Sequence, residues 1–250
     1  MNFKDTLRAG ELIVGCFVKT PAPVVFEALS LTALDCLCLD GEHSPFDRSS
    51  MDGCVFAARA SGKPILVRVQ ANQPEHILNV LDLGATGVVV PHVRSVAEAR
   101  AAVRAAHYGP GGRGFAGTPR AAGHGTRTMA DHLARSAAET VVVAQSEDVE
   151  AIDCVDEIAQ VEGIDALFVG RADLTVAYGA SSPDDPRVIA AVDKACDAGR
   201  RHGRVVGMFL PRPADVPKWR EKGASLFLLG SDVGFMMAGA ADMLREAKGR

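Results

Sequence analysis

The sequence has no apolar run longer than about eight residues, far short of the roughly 20 that a membrane-spanning helix needs. It also lacks any clustered basic stretch: 31 Asp and Glu outnumber 27 Lys and Arg, for a formal charge of −4 at pH 7. A phosphate backbone calls for a concentrated basic face, so nucleic acid is not an expected partner. The opening MNFKDTLRAGELIVG carries acids and no apolar core followed by a small-residue cleavage site. No signal peptide is read there, and the cytoplasm is the expected location. The six cysteines form no disulfide pattern. Cys36 and Cys38 stand two apart in an apolar run, so on a strand both face one side and do not easily bridge. Cys16, Cys54, Cys154 and Cys196 stand singly, and buried free thiols are expected rather than redox or zinc sites.

With 48% hydrophobic and 23% charged residues, the chain can bury a large core. Its 250 residues suit one (β/α) barrel. Short runs rich in Val, Ile, Leu, Phe and Cys recur at Ile13–Val18, Cys36–Asp40, Ile65–Val69, Gly87–Pro91, Thr140–Gln145, Ala166–Val169, Val205–Leu210 and Leu226–Gly230. They do not alternate apolar with polar, which suits parallel strands covered on both faces. Ala-, Glu- and Arg-rich helical stretches lie between them, among them Ser95–His107, with a Ser95–Glu98 capping box, and Pro186–His202. This order predicts an α/β fold, a (β/α)8 TIM barrel in one domain over residues 1–250.

About fifty residues separate the fourth and fifth runs, opening with YGPGGRGFAGTPRAAGHG. So much Gly and Pro predicts a long functional loop, on the catalytic face or at a subunit contact. Gly109–Gly114 looks like a phosphate cradle, yet it follows a helix and lacks a Gly-Lys-Ser/Thr ending, so no nucleotide site is expected. Gly234–Lys248 reads as a terminal amphipathic helix with apolar Phe235, Met236 and Met237, its plainest role being the eighth barrel helix.

In such a barrel the active groups project from the C-terminal ends of the strands. Those ends carry Asp40-Gly41-Glu42-His43, Arg68 and Gln70, Pro91-His92, Gln145-Ser146-Glu147, Gly170-Arg171-Ala172-Asp173 and Ser231-Asp232. Glu147 and Asp173 follow successive strands, and two carboxylates without a Cys cluster suit a hard divalent cation. Each alone also reads as an acid at a helix start, Asp173 as a cap. Arg68 in the apolar ILVRV faces either an anion or an ion pair with Asp40 or Glu42. His43, next to two acids, is either a base tuned by a carboxylate or an exposed strand-end residue. His92 reaches the mouth without an assigned role, while His76, His107, His124, His132 and His202 read as surface or packing residues. No lysine stands in this set and Lys63 precedes the third strand, which disfavours a Schiff-base mechanism.

The segments CLCLDGEHSPFD, ILVRVQANQPEHILNVLDLGATGVVVPHV, YGPGGRG, VVVAQSED and DALFVGRADLTVAYG appear in one order along nearly the whole chain. In that order the sequence resembles the HpcH/HpaI aldolase family of metal-dependent class II pyruvate aldolases. The resemblance implies cleavage of a 4-hydroxy-2-oxo acid into pyruvate and an aldehyde, with Mg²⁺, Mn²⁺ or Co²⁺ held by Glu147 and Asp173. It implies that Gln145, Ala172, Asp173 and Arg68 hold the 2-oxo acid. It further implies that His43 is the base, that Arg68 stabilises developing charge and that Asp82 pairs with His43. Asp82 precedes the fourth strand, at the wrong end for its own mouth, so the resemblance points to a neighbouring chain, as in a hexamer with exchanged terminal helices. Ser146, where Ile is usual, Arg171, where Pro is usual, and His92, where Met is common, depart from the pattern. Arg171 is expected to bring an extra cation to the metal loop. Oxaloacetate decarboxylation, citrate-lyase-like cleavage and a non-catalytic 2-oxo acid-binding barrel are the competing expectations.

Overall fold

The computed structural model describes residues 2–249. The chain opens with a short helix α1 (Phe3–Arg8) and then alternates strands with one or more helical segments. The order is β1 (Ile13–Val18), α2 (Pro23–Ser30), β2 (Cys36–Asp40), α3 (Arg48–Ala60), β3 (Ile65–Arg68), α4 (Pro74–Asp82), β4 (Gly87–Val90) and α5 (Val96–Ala106). A 3₁₀ segment (Arg120–Gly125) and α6 (Met129–Glu139) precede β5 (Val141–Ser146), α7 (Val149–Asp153), α8 (Val155–Ala159), β6 (Ala166–Val169), α9 (Arg171–Ala177) and α10 (Pro186–His202). The chain ends with β7 (Val205–Leu210), α11 (Val216–Glu221), β8 (Ala224–Ser231) and α12 (Asp232–Lys248). The eight strands are parallel, and β8 returns to β1 with Ile13 opposite Leu226, closing the (β/α)8 TIM barrel expected from the sequence.

Strand alternation divides the apolar residues into two cores. Ile13, Cys36, Cys38, Leu66, Val89, Val141, Val143, Phe168 and Leu226 fill the barrel interior. Leu37, Leu39, Val67, Val88, Val142 and Leu167 face the helices, where they meet residues such as Ile77, Ala102 and Ala195. All six cysteines are free, and five are buried. The helices follow from equally local signals. Asp185 caps α10 by accepting the Arg187 amide at 2.9 Å, Pro186 supplies a preset first residue, and Gly203 ends the helix at φ 63°. Between these signals Val188, Ala191, Val192, Ala195 and Cys196 recur at helical spacing and are buried. At α5 the expected capping box is half made: Ser95 accepts the Glu98 amide, whereas the Glu98 carboxylate takes the amide of Arg94.

The N-terminal end of the barrel is sealed. Leu7 of α1 is fully buried in the interior core, Lys4 Nζ donates to the Thr140 carbonyl at 2.6 Å, and Arg8 Nη2 lies 2.7 Å from Asp165.

Two sequence readings are corrected. Of the two places expected for the Gly-rich insertion, the catalytic mouth is not the one it takes: Arg113 binds Asp82 at the end of α4, and Arg120 binds Asp52 of α3 and the Leu83 carbonyl. The segment therefore lies along the outer faces of α3 and α4. Terminal helix α12 is not packed as an eighth barrel helix. Only its first residue, Asp232, is buried, while Phe235, Met236, Met237, Met243 and Leu244 are exposed.

Candidate active site

The inward register of the strands, continued past their C-terminal ends, generates a polar layer above the apolar interior. Cys36 and Cys38 are followed by Asp40, Leu66 by Arg68, Val141 and Val143 by Gln145 and Glu147, and Phe168 by Gly170. Asp40 is fully buried, and its Oδ1 accepts Arg68 Nε at 3.0 Å, Arg68 Nη2 at 2.8 Å and the His43 amide at 3.1 Å. Lys19 Nζ lies 3.0 Å from Oδ2. Burial opposes ionisation of Asp40, but the Arg68 charge together with the His43 and Lys19 contacts outweighs it and holds the carboxyl below its ordinary value. Arg68 also reaches Glu42 at 3.2 Å and lies over the Phe17 ring, so both ion pairs considered from sequence are present.

Glu147 is 3% exposed, and its two oxygens have different partners. Oε1 accepts the His92 amide at 3.0 Å, and Oε2 accepts the side-chain amide of Gln145. Gly170 permits the next contact. A Cβ at that residue would fall 2.4 Å from Glu147 Cβ, 2.9 Å from Glu147 Oε2 and 3.2 Å from Asp173 Oδ2. The two carboxylates thus converge over a backbone position that only glycine leaves open. Neither acts as a cap, since Gly170 and Asp148 occupy the N-cap positions of α9 and α7. Burial pushes the Glu147 carboxyl up and the Asp173 charge adds to it, while the Gln145 and His92 donations pull it down; the net shift is upward. A buried carboxylate, Glu147, converging with the exposed carboxylate of Asp173 and with an imidazole beside it is a donor set that suits a divalent cation.

His43 stands at the rim with its side chain 59% exposed, 3.8 Å from Glu42. Ala172 and Asp173 lie in the first turn of α9 and are exposed. Asp82 does not meet His43 within one chain; it closes α4, at the opposite end of the barrel, where it pairs with Arg113. Arg171 does not offer the free cation expected of it beside the turn at residues 170–173. It donates to the Pro183 carbonyl at 2.7 Å, lies 3.3 Å from Asp184 and stacks on Trp219 of α11. Ser146 is fully buried, and its hydroxyl has no protein partner.

One residue of the charged layer, Lys19, escaped the sequence reading, and two that it had placed at the mouth without a role, His92 and Glu42, are brought together with Glu147. Lys19 directly follows β1, so a lysine does stand at a strand end, and its position after the apolar run Ile13–Val18 was the available signal. It is paired with Asp40 rather than free as a nucleophile. His92 and Glu42 join Glu147 in a group whose ligand atoms lie within 4.8 Å of one another.

The family model of the HpcH/HpaI aldolase/citrate lyase family matches residues 14–238. A 5-keto-4-deoxy-D-glucarate aldolase of Escherichia coli is 36% identical over 238 residues, covering 93% of this chain and 91% of that protein. One from Enterobacter sp. strain 638 is 35% identical over 235 residues, with the same coverage. A crystal structure of a family protein from Burkholderia cenocepacia J2315 superposes with a TM-score of 0.93 at 32% identity and covers 98% of both chains. Eight parallel strands, charged groups gathered at their C-terminal ends and a match over nearly the whole length lead to one conclusion: this chain belongs to the HpcH/HpaI aldolase/citrate lyase family and is a carbon–carbon lyase.

Proposed function

We propose that the protein is a divalent-metal-dependent aldolase that reversibly cleaves a 4-hydroxy-2-oxo acid into pyruvate and an aldehyde. The observation that carries this reading is the convergence of Glu147 and Asp173 over Gly170, with Gln145 against Glu147. A cation bound there would supply Lewis acidity toward the 2-oxo group. Gln145 and the first turn of α9, at Ala172 and Asp173, hold the carboxylate end of the substrate. His43 at the rim takes the proton of the 4-hydroxyl group as the C3–C4 bond breaks. The electron pair of that bond stays with C3 and spreads to the 2-oxo oxygen, where Arg68, fixed by Asp40, opposes the developing charge. C3 then takes up a proton, completing pyruvate, and C4 leaves as the aldehyde. The E. coli and Enterobacter relatives are named for 5-keto-4-deoxy-D-glucarate. Numbered from its keto end, that diacid is itself a 4-hydroxy-2-oxo acid, and sugar-derived diacids of this type are the proposed substrate class.

The direct test is deuterium exchange into the pyruvate methyl group, followed by NMR with Mn²⁺ or Mg²⁺ and after EDTA treatment. Metal-dependent exchange is the expected result, and it needs no knowledge of the aldehyde. Absence of exchange with the cation bound would refute the assignment.

Asp82 enters this scheme only from a neighbouring chain. The exposed apolar side chains of α12 are consistent with a homo-oligomer, proposed as a hexamer, in which terminal helices are exchanged. Mixed oligomers of His43→Ala and Asp82→Ala subunits, each inactive alone, should then regain activity, because some interfaces pair an intact His43 with an intact Asp82. No recovery on mixing, with subunit exchange verified, would place Asp82 outside the catalytic machinery.

A further inference from the structure

Beside the two carboxylates stands a donor of a different kind. His92 follows β4 and adopts φ 52°, a left-handed conformation unusual for a residue with a Cβ. Such strain persists where the surroundings fix it, and here the His92 amide is fixed on Glu147 Oε1 at 3.0 Å. Its ring is oriented as firmly as its backbone. Nδ1 lies 3.0 Å from Asp148 Oδ2, and the same oxygen is held by Arg94 Nε at 3.1 Å. A carboxylate accepting Nδ1–H leaves the lone pair on Nε2, the arrangement by which metal-ligating histidines are fixed in tautomer and direction. Nε2 faces Glu42 Oε1 at 3.5 Å. A cation between Nε2 and the Glu42 carboxylate would meet a nitrogen donor on one side and an oxygen donor on the other. Donor atoms of Glu42, His92 and Glu147 all lie within 4.8 Å of one another.

We infer that His92 is a nitrogen ligand of the cation held by Glu147 and Asp173, with Glu42 alongside, and that it directs the site toward Mn²⁺, Co²⁺ or Zn²⁺ in preference to Mg²⁺. This rests on the cation site proposed above. Imidazole favours first-row transition ions, whereas Mg²⁺ selects oxygen donors and retains its waters.

The test is pulsed EPR of the Mn²⁺-loaded full chain, with calorimetric titration of Co²⁺ and Mg²⁺. His92→Asn is the chosen variant because Asn tolerates the left-handed backbone and removes the imidazole. His92→Gly serves if the Asn variant does not fold. The wild type should show nitrogen modulation on Mn²⁺ that the variant lacks. Co²⁺ affinity should fall about 10- to 100-fold, the order of loss seen when ligand support is removed. Mg²⁺ affinity should change by less than about 3-fold, since that ion does not depend on nitrogen. A wild-type protein with one bound Mn²⁺ and no nitrogen modulation would overturn the inference and leave His92 as an ion-pair partner of the carboxylates. Equal losses of Co²⁺ and Mg²⁺ would overturn the selectivity claim. A wild type that binds no divalent ion, or a Glu147→Ala variant that binds as well as wild type, would remove the cation site itself.

Discussion

Glu147→Ala is expected to lose about 100-fold or more in divalent-ion affinity, and with it all metal-dependent proton exchange into pyruvate. The size of the effect follows from position: Glu147 is buried, meets Asp173 over Gly170 and has its oxygens oriented by the His92 amide and by Gln145. Stability separates this ligand role from a merely structural one. An ion at 100 times its dissociation constant stabilises the fold by about 2.7 kcal/mol. For a chain of this length that corresponds to a rise in melting temperature of roughly 5–10 °C. Wild type should show this rise and Glu147→Ala should not. Without metal, the variant loses a buried charge facing another carboxylate but also the acceptor of the His92 and Gln145 amides, so each protein's own metal-free melting temperature is the reference for its metal-induced rise. Calorimetric melts with and without Mn²⁺ check both statements. An undiminished metal-induced rise in the variant would mean that the ion binds elsewhere.

Asp40→Asn is expected to be the most destabilising conservative substitution at the mouth. It leaves Arg68, 7% exposed, with Glu42 as its remaining carboxylate. Breaking a buried pair by neutralising one partner costs about 3–5 kcal/mol, and the surviving Glu42 contact places this case near the lower figure. A fall in melting temperature of roughly 6–12 °C follows. Turnover should fall as well, because Asp40 orients the guanidinium and accepts the His43 amide. The acid dependence has a definite sign. The Asp40 carboxyl is held below its ordinary value, so its contribution is complete above the unfolded-state pKa, about 3.9, and is lost as pH falls through the folded-state value. The Asn variant should lack that share of acid destabilisation. Thermal melts between neutral pH and pH 3 provide the check; a variant as stable as wild type at neutral pH would contradict the anchoring role.

Much of the fold was legible because fully covered parallel strands are written as unbroken apolar runs. The runs at Ile13–Val18, Cys36–Asp40, Ile65–Val69 and Ala166–Val169 reappear as strands with at most one residue of difference at an end. That Glu147 and Asp173 stand at the mouth was legible for a related reason, since residues within a few positions of the end of such a run lie there. What sequence position could not convey was direction. Arg171 and Asp173 are two residues apart, yet one side chain turns to Trp219 and the other to Glu147. His92 owes its contacts to a left-handed φ that no periodicity announces. The glycine-rich insertion was identified as non-helical from composition, but its course along α3 and α4 depends on Arg113 and Arg120 finding Asp82 and Asp52. Those pairings join residues that lie 31 and 68 positions apart in the chain.

The stopper formed by α1 has a kinetic consequence. With Leu7 buried in the interior core and Lys4 and Arg8 tied to the rim at Thr140 and Asp165, the N-terminal end is closed by packed side chains, and substrates are taken to approach from the opposite end, where the charged groups gather. On the proposed chemistry the pyruvyl half lies inward, against Glu147 and Asp173, and the aldehyde half lies outward, beside His43. Departure is then sequential: the aldehyde must clear the passage before pyruvate can follow. In the reverse direction pyruvate has to be seated first. Pyruvate left behind would therefore block the next turnover as a competitor of the substrate, whereas the aldehyde would rejoin a site already half filled.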